Sequence, residues 1–445
     1  MRVAVVGGGL GGLAAARALL AAGIDAHVFE ASSRAGGVVG TSTIDGFVRE
    51  HAASSFLGGP SRGALAICKE LGVEVEQASP RAKNRFIYID GKLRALPRSP
   101  VGLVTSDLLT WRGKLDLLRE PLRPAHPAGD DESVHAFAAR RLGAEAARAM
   151  VAPFVTGIYA ADAHDISLQA GFPKLAELEA HGGLVRGMVR QMARGLFAKA
   201  IGKRSSKTPR GLWAPRGGLG RLVEAFAATL GPAVRLDARI AEIAPDAKGV
   251  RIDGELFDGA VLAVPAEDAA TLVALPELAN RLSVFHRAPA ALVYLGYRDA
   301  DVVKARDGFG ALVAMGEDAR VLGIVFESTV WSGRAPSGHA LLRCIFGGGR
   351  DPSACDLDDA QLIEHATRDA SVVLGATGSP VHASVIRWRR GVAQYAVGHR
   401  DVVREAVTVA RTHKIVLAGA DYRGPGINDL CADADLVVDE VRAWG

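Results

Sequence analysis

The sequence predicts an α/β protein: a discontinuous Rossmann-like dinucleotide-binding domain, with a mixed-sheet domain and a mainly helical subdomain set into it. Three observations carry this. The chain opens on strand, glycine-rich turn, helix and second strand in about thirty residues, the size of a dinucleotide fingerprint. The same apolar texture returns at Arg216 and again at the end of the chain. Between these pieces lie a helix-rich stretch, 132–200, and a strand-rich one, 285–350. The expected division is 1–80, 212–270 and 385–445 for the dinucleotide domain, 81–96 and 271–384 for the mixed-sheet domain, and 97–211 for the helical subdomain.

Val3 to Val6 is a short apolar run ended by glycine, which suits a buried parallel strand. Gly7, Gly9 and Gly12 form G-x-G-x-x-G. The first makes the tight turn, the second admits a pyrophosphate to the backbone, and the third lets helix and strand pack closely. Leu10 to Ala22 reads as an Ala/Leu-rich helix ending at Gly23, its start offering free N–H groups to phosphates. Asp25 to Phe29 is the second strand, and Glu30 at its end can accept from both ribose hydroxyls. A carboxylate there repels a 2′-phosphate, which disfavours NADP. The tail Ser33 to Gly37, with Arg34, Gly36 and Gly37, resembles the extension of FAD oxidases and turns the choice of nucleotide to FAD.

Residues 38–58 read as strand, turn, strand and loop, and Pro60 to Leu71 as a helix. Arg85 to Leu96 reads as a hairpin turning at Asp90-Gly91. Helices follow from Glu132, interrupted by TGIYAADAHDIS. Arg186, Arg190, Arg194, Lys199, Lys203, Arg204, Lys207 and Arg210 accumulate in a stretch without acids, either a solvated helix and loop or a surface attracted to anionic lipid. From Gly217 come a helix, a strand over VRLDARIAEI, and a hairpin leading into a buried strand. Ala360 to Leu374 is a helix; strand 415–419 and helix Leu430 to Arg442 close the chain. The cluster FGGGRDP at 346–352 is not a second nucleotide site, because Asp351-Pro352 blocks an immediate helix and no acid-ended strand follows.

The net charge of +4 does not point to nucleic acid, and the four cysteines show no metal or redox-pair spacing, as in a reducing cytoplasm. A first strand at residue 2 leaves no room for a signal peptide, and no apolar run reaches the length of a membrane span. FAD without an NAD domain or a cysteine pair suggests an oxidase or a quinone-linked dehydrogenase.

Several motifs together resemble the oxygen-dependent protoporphyrinogen oxidases, of the amine-oxidase-like fold. They are the fingerprint with Glu30, KNRFIYIDGKLRALP (83–97), TGIYAADAHDIS (156–167), PRGGLGRLVEAF (215–226), DGFGALV (307–313), VLGIVFES (321–328), RWRRGVAQYAVGH (387–399) and GADYRGPGINDLC (419–431). The resemblance implies oxidation of protoporphyrinogen IX to protoporphyrin IX, or of coproporphyrinogen III to coproporphyrin III in bacterial relatives. Oxygen is the final acceptor, and three two-electron steps each send a hydride to flavin N5. No ionisable catalytic residue is then required, and the protein orients the ring in an apolar slot. By position, Arg85 matches an arginine that pairs with a propionate, a good use of a guanidinium fork. Phe309, Leu312, Val325 and Ile345 match the slot walls, and Gly157 would let the ring approach the backbone. Glu30, Arg34, the Ile240 backbone, Trp388, Gly426, Ile427 and Asn428 match FAD contacts. Two departures stand out: Ser54 occupies the place of a family asparagine near the flavin, and Gly419-Ala420-Asp421-Tyr422 lacks another.

Two other readings are kept. One is an FAD amine oxidase using Tyr422 and Trp388 as an aromatic pair; the other is a non-catalytic flavin or porphyrin carrier. Leu103, Val104, Leu108, Leu109, Trp111, Leu115 and Leu118, interleaved with Arg112, Lys114 and Arg119, suit either a membrane interface or internal packing. The expected setting is cytoplasmic, with a peripheral contact on the inner face of the cell membrane and a homodimer both admitted, and with no nucleic-acid or metal partner.

Overall fold

The structure, a computed structural model, describes residues 1–59, 63–124, 126, 129–190 and 209–444. Pro60 to Arg62 of the expected helix lie outside them, as do Arg194, Lys199, Lys203, Arg204 and Lys207 of the basic stretch.

A five-stranded parallel sheet organises the first domain, in the order Val234–Arg235, Asp25–Phe29, Arg2–Val6, Gly259–Leu262, Ile415–Leu417. Its strands therefore come from the start, middle and end of the chain. The inner strands are buried on both faces, the pattern of a parallel sheet between helices. Helix Leu10–Ala21 packs between the final helix, Ile427–Arg442, and helix Gly220–Leu230. Its run of small residues, Gly12 and Ala14 to Ala16, permits the close approach.

The second domain is a seven-stranded mixed sheet in the order His382–Ala393, Arg287–Arg298, His339–Gly347, Gly323–Phe326, Gly310–Val313, Phe86–Ile89, Lys92–Ala95. The pairing of Gly310–Val313 with Phe86–Ile89 is parallel and the rest are antiparallel. The hairpin turns at Asp90 and Gly91, with φ of 51° and 69°, as a two-residue turn with both φ positive requires. Helix Asp359–Leu374 covers the face away from the first domain, capped by Asp358 and ended by Gly375 in the left-handed region.

Four expectations are corrected. VRLDARIAEI is not one strand: it pairs over Val234–Arg235, leaves the sheet where Asp237 takes a φ of 53°, and pairs again only at Ile243, in another sheet. Thr156 to Tyr159 is the last turn of helix Ala152–Tyr159, and the interruption begins at left-handed Ala160. Strand His382–Ala393 straddles the boundary expected at residue 385, since its partner belongs to the mixed sheet. Leu108 and Leu109 are buried and cannot face a membrane, whereas Val101, Val104, Trp111, Leu115, Leu118 and Leu122 are exposed on the helical subdomain.

Candidate active site

The nucleotide end is made almost wholly of backbone. Gly7 has a φ of 107°, and a Cβ there would stand 2.9 Å from the Ala263 carbonyl. A Cβ on Gly12 would collide with the Gly7 oxygen, whereas one on Gly9 would meet nothing within 4 Å. Gly9 thus faces open space at the start of helix Leu10–Ala21, where no side chain caps the first N–H groups. That is the cradle a pyrophosphate fits. Gly36 and Gly37, with φ of 109° and 58°, wrap back onto it: Gly36 N–H donates to the Gly8 oxygen at 2.7 Å. The Arg34 guanidinium holds this loop closed by donating to the carbonyls of Val39 (3.1 Å) and Gly37 (2.6 Å).

Glu30 is buried at the end of its strand. It accepts from the N–H groups of Gly8 and Ser32, both at 2.8 Å, and from the Ser32 hydroxyl. A carboxylate offers about four lone-pair sites, so capacity remains for ribose hydroxyls. Segment 237–240 runs alongside, with Ala238 N–H donating to the Glu30 carbonyl, which brings Ile240 into the same neighbourhood.

At the other end of the crevice, Gly426 precedes the final helix, and Ile427 and Asn428 are in its first turn. The Asn428 side chain donates to the Leu57 carbonyl at 2.7 Å and accepts from Ala64 N–H at 2.9 Å, so it bridges these two residues. Loop 51–55 is held from the mixed sheet. Trp388 donates its indole N–H to the His51 carbonyl at 2.7 Å, and Arg343 donates to the Ala52 carbonyl (2.7 Å) and the Ser54 hydroxyl (3.2 Å). Arg343 is buried against Glu327 at 3.0 Å. Burial opposes its charge, but Glu327, Tyr294 and Glu50 outweigh that and raise its pKa. Nearby, burial raises the Glu50 carboxyl although Arg334 lies 2.6 Å away. Asp421, at a departure from the family pattern, is buried and grips Arg287 through both oxygens, tying the closing turn to the mixed sheet.

Against this crevice the mixed sheet and helix Ala152–Tyr159 enclose a cavity of about 250 Å³. Arg85, Gly157, Phe309, Leu312, Val325 and Ile345, spread over more than two hundred residues of chain, all line it. Among the described residues Thr156 and Arg85 are its only polar side chains, and the Thr156 hydroxyl is committed to the Ala161 carbonyl at 3.0 Å. The Arg85 guanidinium lies over the Phe309 ring, 5.2 Å from its centre. Gly157 also packs against a cavity wall: a Cβ there would stand 2.8 Å from the Leu312 side chain. Tyr422 and Trp388 do not line this cavity, so the aromatic pair of an amine oxidase is not assembled in it. Sequence reasoning missed Leu96, Met150, Phe154, Ile158 and Leu212 in the walls. The helical spacing of Phe154, Gly157 and Ile158 was the available signal.

Among the described residues no cluster of His, Cys, Asp and Glu could hold a metal, and no helix is long and apolar enough to cross a membrane. The four cysteines are buried free thiols.

Comparison with known proteins bears on this geometry. The family model for flavin-containing amine oxidoreductases matches residues 10–428. The chain is 32% identical over 437 residues to the chloroplastic protoporphyrinogen oxidase of Nicotiana tabacum, covering 90% of this chain and 78% of that one. It is 31% identical over 469 residues to the protoporphyrinogen oxidase of Bos taurus (96% and 95%), and 27% identical over 462 residues to the coproporphyrinogen III oxidase of Bacillus subtilis (97% and 95%). For the fold, a crystal structure from Exiguobacterium sp. 255-15 superposes with a TM-score of 0.84 at 23% identity, covering 100% and 99% of the two chains. Putrescine oxidase bound to putrescine superposes at 0.71 and 18%, covering 99% of each. With a family model matched over most of its length and relatives aligned nearly end to end, this chain belongs to the flavin-containing amine oxidoreductases, and the protein is an FAD-dependent oxidoreductase.

Proposed function

We propose that the chain oxidises protoporphyrinogen IX to protoporphyrin IX, with FAD as the immediate acceptor and oxygen as the final one. The observation that carries this is the cavity: among the described residues it has apolar walls, no acid–base pair, and a single guanidinium at its side. A flexible macrocycle of pyrroles that loses hydride and gains aromaticity needs orientation and exclusion of water more than proton chemistry. Bound FAD supplies the hydride acceptor. The chain's residues do the rest. Gly9 and the helix start receive the phosphates, Glu30 the ribose, and the first turn at Gly426 to Asn428 offers N–H groups and positive dipole to the flavin ring. Arg85 pairs with a propionate, while Phe309, Leu312, Val325 and Ile345 hold the ring. Ser54, gripped by Arg343, stands in the flavin-side loop. A second reading, oxidation of coproporphyrinogen III to coproporphyrin III, is supported by the Bacillus subtilis relative, which aligns over nearly the whole chain.

The same reading places the protein in the cytoplasm, peripheral on the inner face of the membrane. The exposed Val101, Trp111, Leu115, Leu118 and Leu122 of the helical subdomain support such a contact. It also includes a homodimer, which light scattering of the purified protein reads directly.

The test is anaerobic mixing of the yellow protein with each porphyrinogen. The expected result is loss of flavin colour within turnover time and its return in air. Colour unchanged with both substrates removes the proposal, and bleaching by amines alone replaces it with an amine oxidase. A tightly bound porphyrin that is never turned over would instead describe a carrier.

A further inference from the structure

The cavity continues outward. A second hollow of about 470 Å³ adjoins it, sharing Arg85, Leu96 and Leu212 and walled also by Lys83 and Arg98. Among the described residues no carboxylate lines either space. The hairpin gathers these cations: Leu96 N–H donates to the Arg85 carbonyl at 2.8 Å, which returns the chain beside its own entry. Arg98 then donates to the Asn84 side-chain oxygen at 3.3 Å, and the Asn84 amide donates to both oxygens of Asp307 at 3.1 Å. Among the described residues Lys83, Arg85 and Arg98 form no ion pair, and all three are exposed. The deep side of the cavity is the reverse. Ile87, Leu322, Ile324, Val325 and Ile345 wall it, and its one hydroxyl, on Thr156, is already committed.

We propose that Lys83 and Arg98 form a second carboxylate subsite beside Arg85, so that the macrocycle enters by its apolar edge and keeps two neighbouring carboxylates at the mouth. This rests on the porphyrinogen reading and deepens it. The arrangement selects a dicarboxylate whose acids lie on adjacent rings, as in protoporphyrinogen IX. A tetracarboxylate with acids all round its rim, as in coproporphyrinogen III, would have to bury at least one ionised group against walls where no described side chain has a free donor.

The test uses the FAD-loaded protein and mesoporphyrin IX, a dicarboxylate that is not turned over, with its dimethyl ester and coproporphyrin III as comparisons. Binding is read by fluorescence, and KM and kcat are read separately with protoporphyrinogen IX. In the double variant Lys83→Gln/Arg98→Gln, the Kd for mesoporphyrin IX is expected to rise about tenfold, the loss of one charge-assisted pair. Ester binding should move less than about twofold, KM should rise and kcat should hold. The wild type should bind coproporphyrin III at least about tenfold more weakly than mesoporphyrin IX. Equal losses for acid and ester, no loss at all, or coproporphyrin III binding as tightly would each overturn the subsite. Charge-dependent mesoporphyrin binding with no oxidation of any porphyrinogen would uphold the subsite and sink the oxidase reading.

Discussion

The glycine-rich cradle presents mainly backbone: N–H groups of a helix start and glycines at positive φ, beside one carboxylate held by Gly8 and Ser32. The cavity beyond is lined mainly by side chains: Leu312, Val325 and Ile345 on three strands, Phe309 just before the first of them, and Arg85 entering a hairpin, with Gly157 on a helix. The first surface is set by backbone geometry, and Gly7 and Gly12 leave no room there for a Cβ. The second excludes water and can be retuned residue by residue. A cofactor that never leaves suits the former, and a flexible macrocycle that must enter and depart suits the latter.

Substitutions at two glycines break this comparison most sharply. Gly9 faces open space, so Gly9→Ala should leave the apoprotein folded yet weaken FAD binding by about a hundredfold, because its methyl occupies the pyrophosphate path. Gly12→Ala should instead lower stability by about 3 kcal/mol or more, because its Cβ overlaps the Gly7 carbonyl. Flavin titration and thermal melts of both variants separate the effects; a Gly9→Ala protein that binds FAD normally would contradict the cradle. Next in size is Arg85→Ala. Because the anchor acts in ground and transition states alike, KM should rise about tenfold while kcat changes less than about twofold. A fall in kcat alone would contradict an anchoring role.

A smaller effect is expected on the outer surface. The pair Trp111→Ser and Leu118→Ser removes two exposed apolar side chains and should reduce flotation with anionic vesicles severalfold, with turnover of soluble substrate unchanged. Recovery of the wild type wholly in the soluble fraction would reject the membrane contact. The smallest concerns pH. Burial pushes the Asp433 carboxyl up to about 6, although Arg423 lies 3.3 Å away. Its folded pKa is above the unfolded value, so the folded state binds more protons between them, and stability falls as pH rises through about 6. Asp433→Asn should flatten that fall, and melts at pH 5 and pH 8 check it.

The difference between the two surfaces also explains what could be read before the fold was known. Gly7, Gly9, Gly12 and Glu30 lie within one strand–helix–strand unit, where fixed spacing is itself the geometry, so local sequence discloses the site. The cavity walls come from strands far apart in the chain. Arg85, Phe309 and Ile345 were placed together only by resemblance, since no local period links them. Side chains with long-range partners were invisible. Nothing near Asp421 announces that it will grip Arg287, nor near Arg343 that it will reach Ser54. The close packing of Gly157 was hidden for the same reason, because the Leu312 side chain beside it arrives from another element. Strand ends were also lost where a single residue, Asp237, left extended conformation.

The most direct measurement is the yield of peroxide during oxidation of protoporphyrinogen IX in air by the FAD-loaded protein. Removal of six hydrogens in two-electron steps requires three peroxides for each protoporphyrin formed. A ratio of three, abolished when FAD is stripped and restored when it is returned, is the result expected. Porphyrin appearing no faster than without protein, or a folded protein that takes up no flavin, would contradict the account.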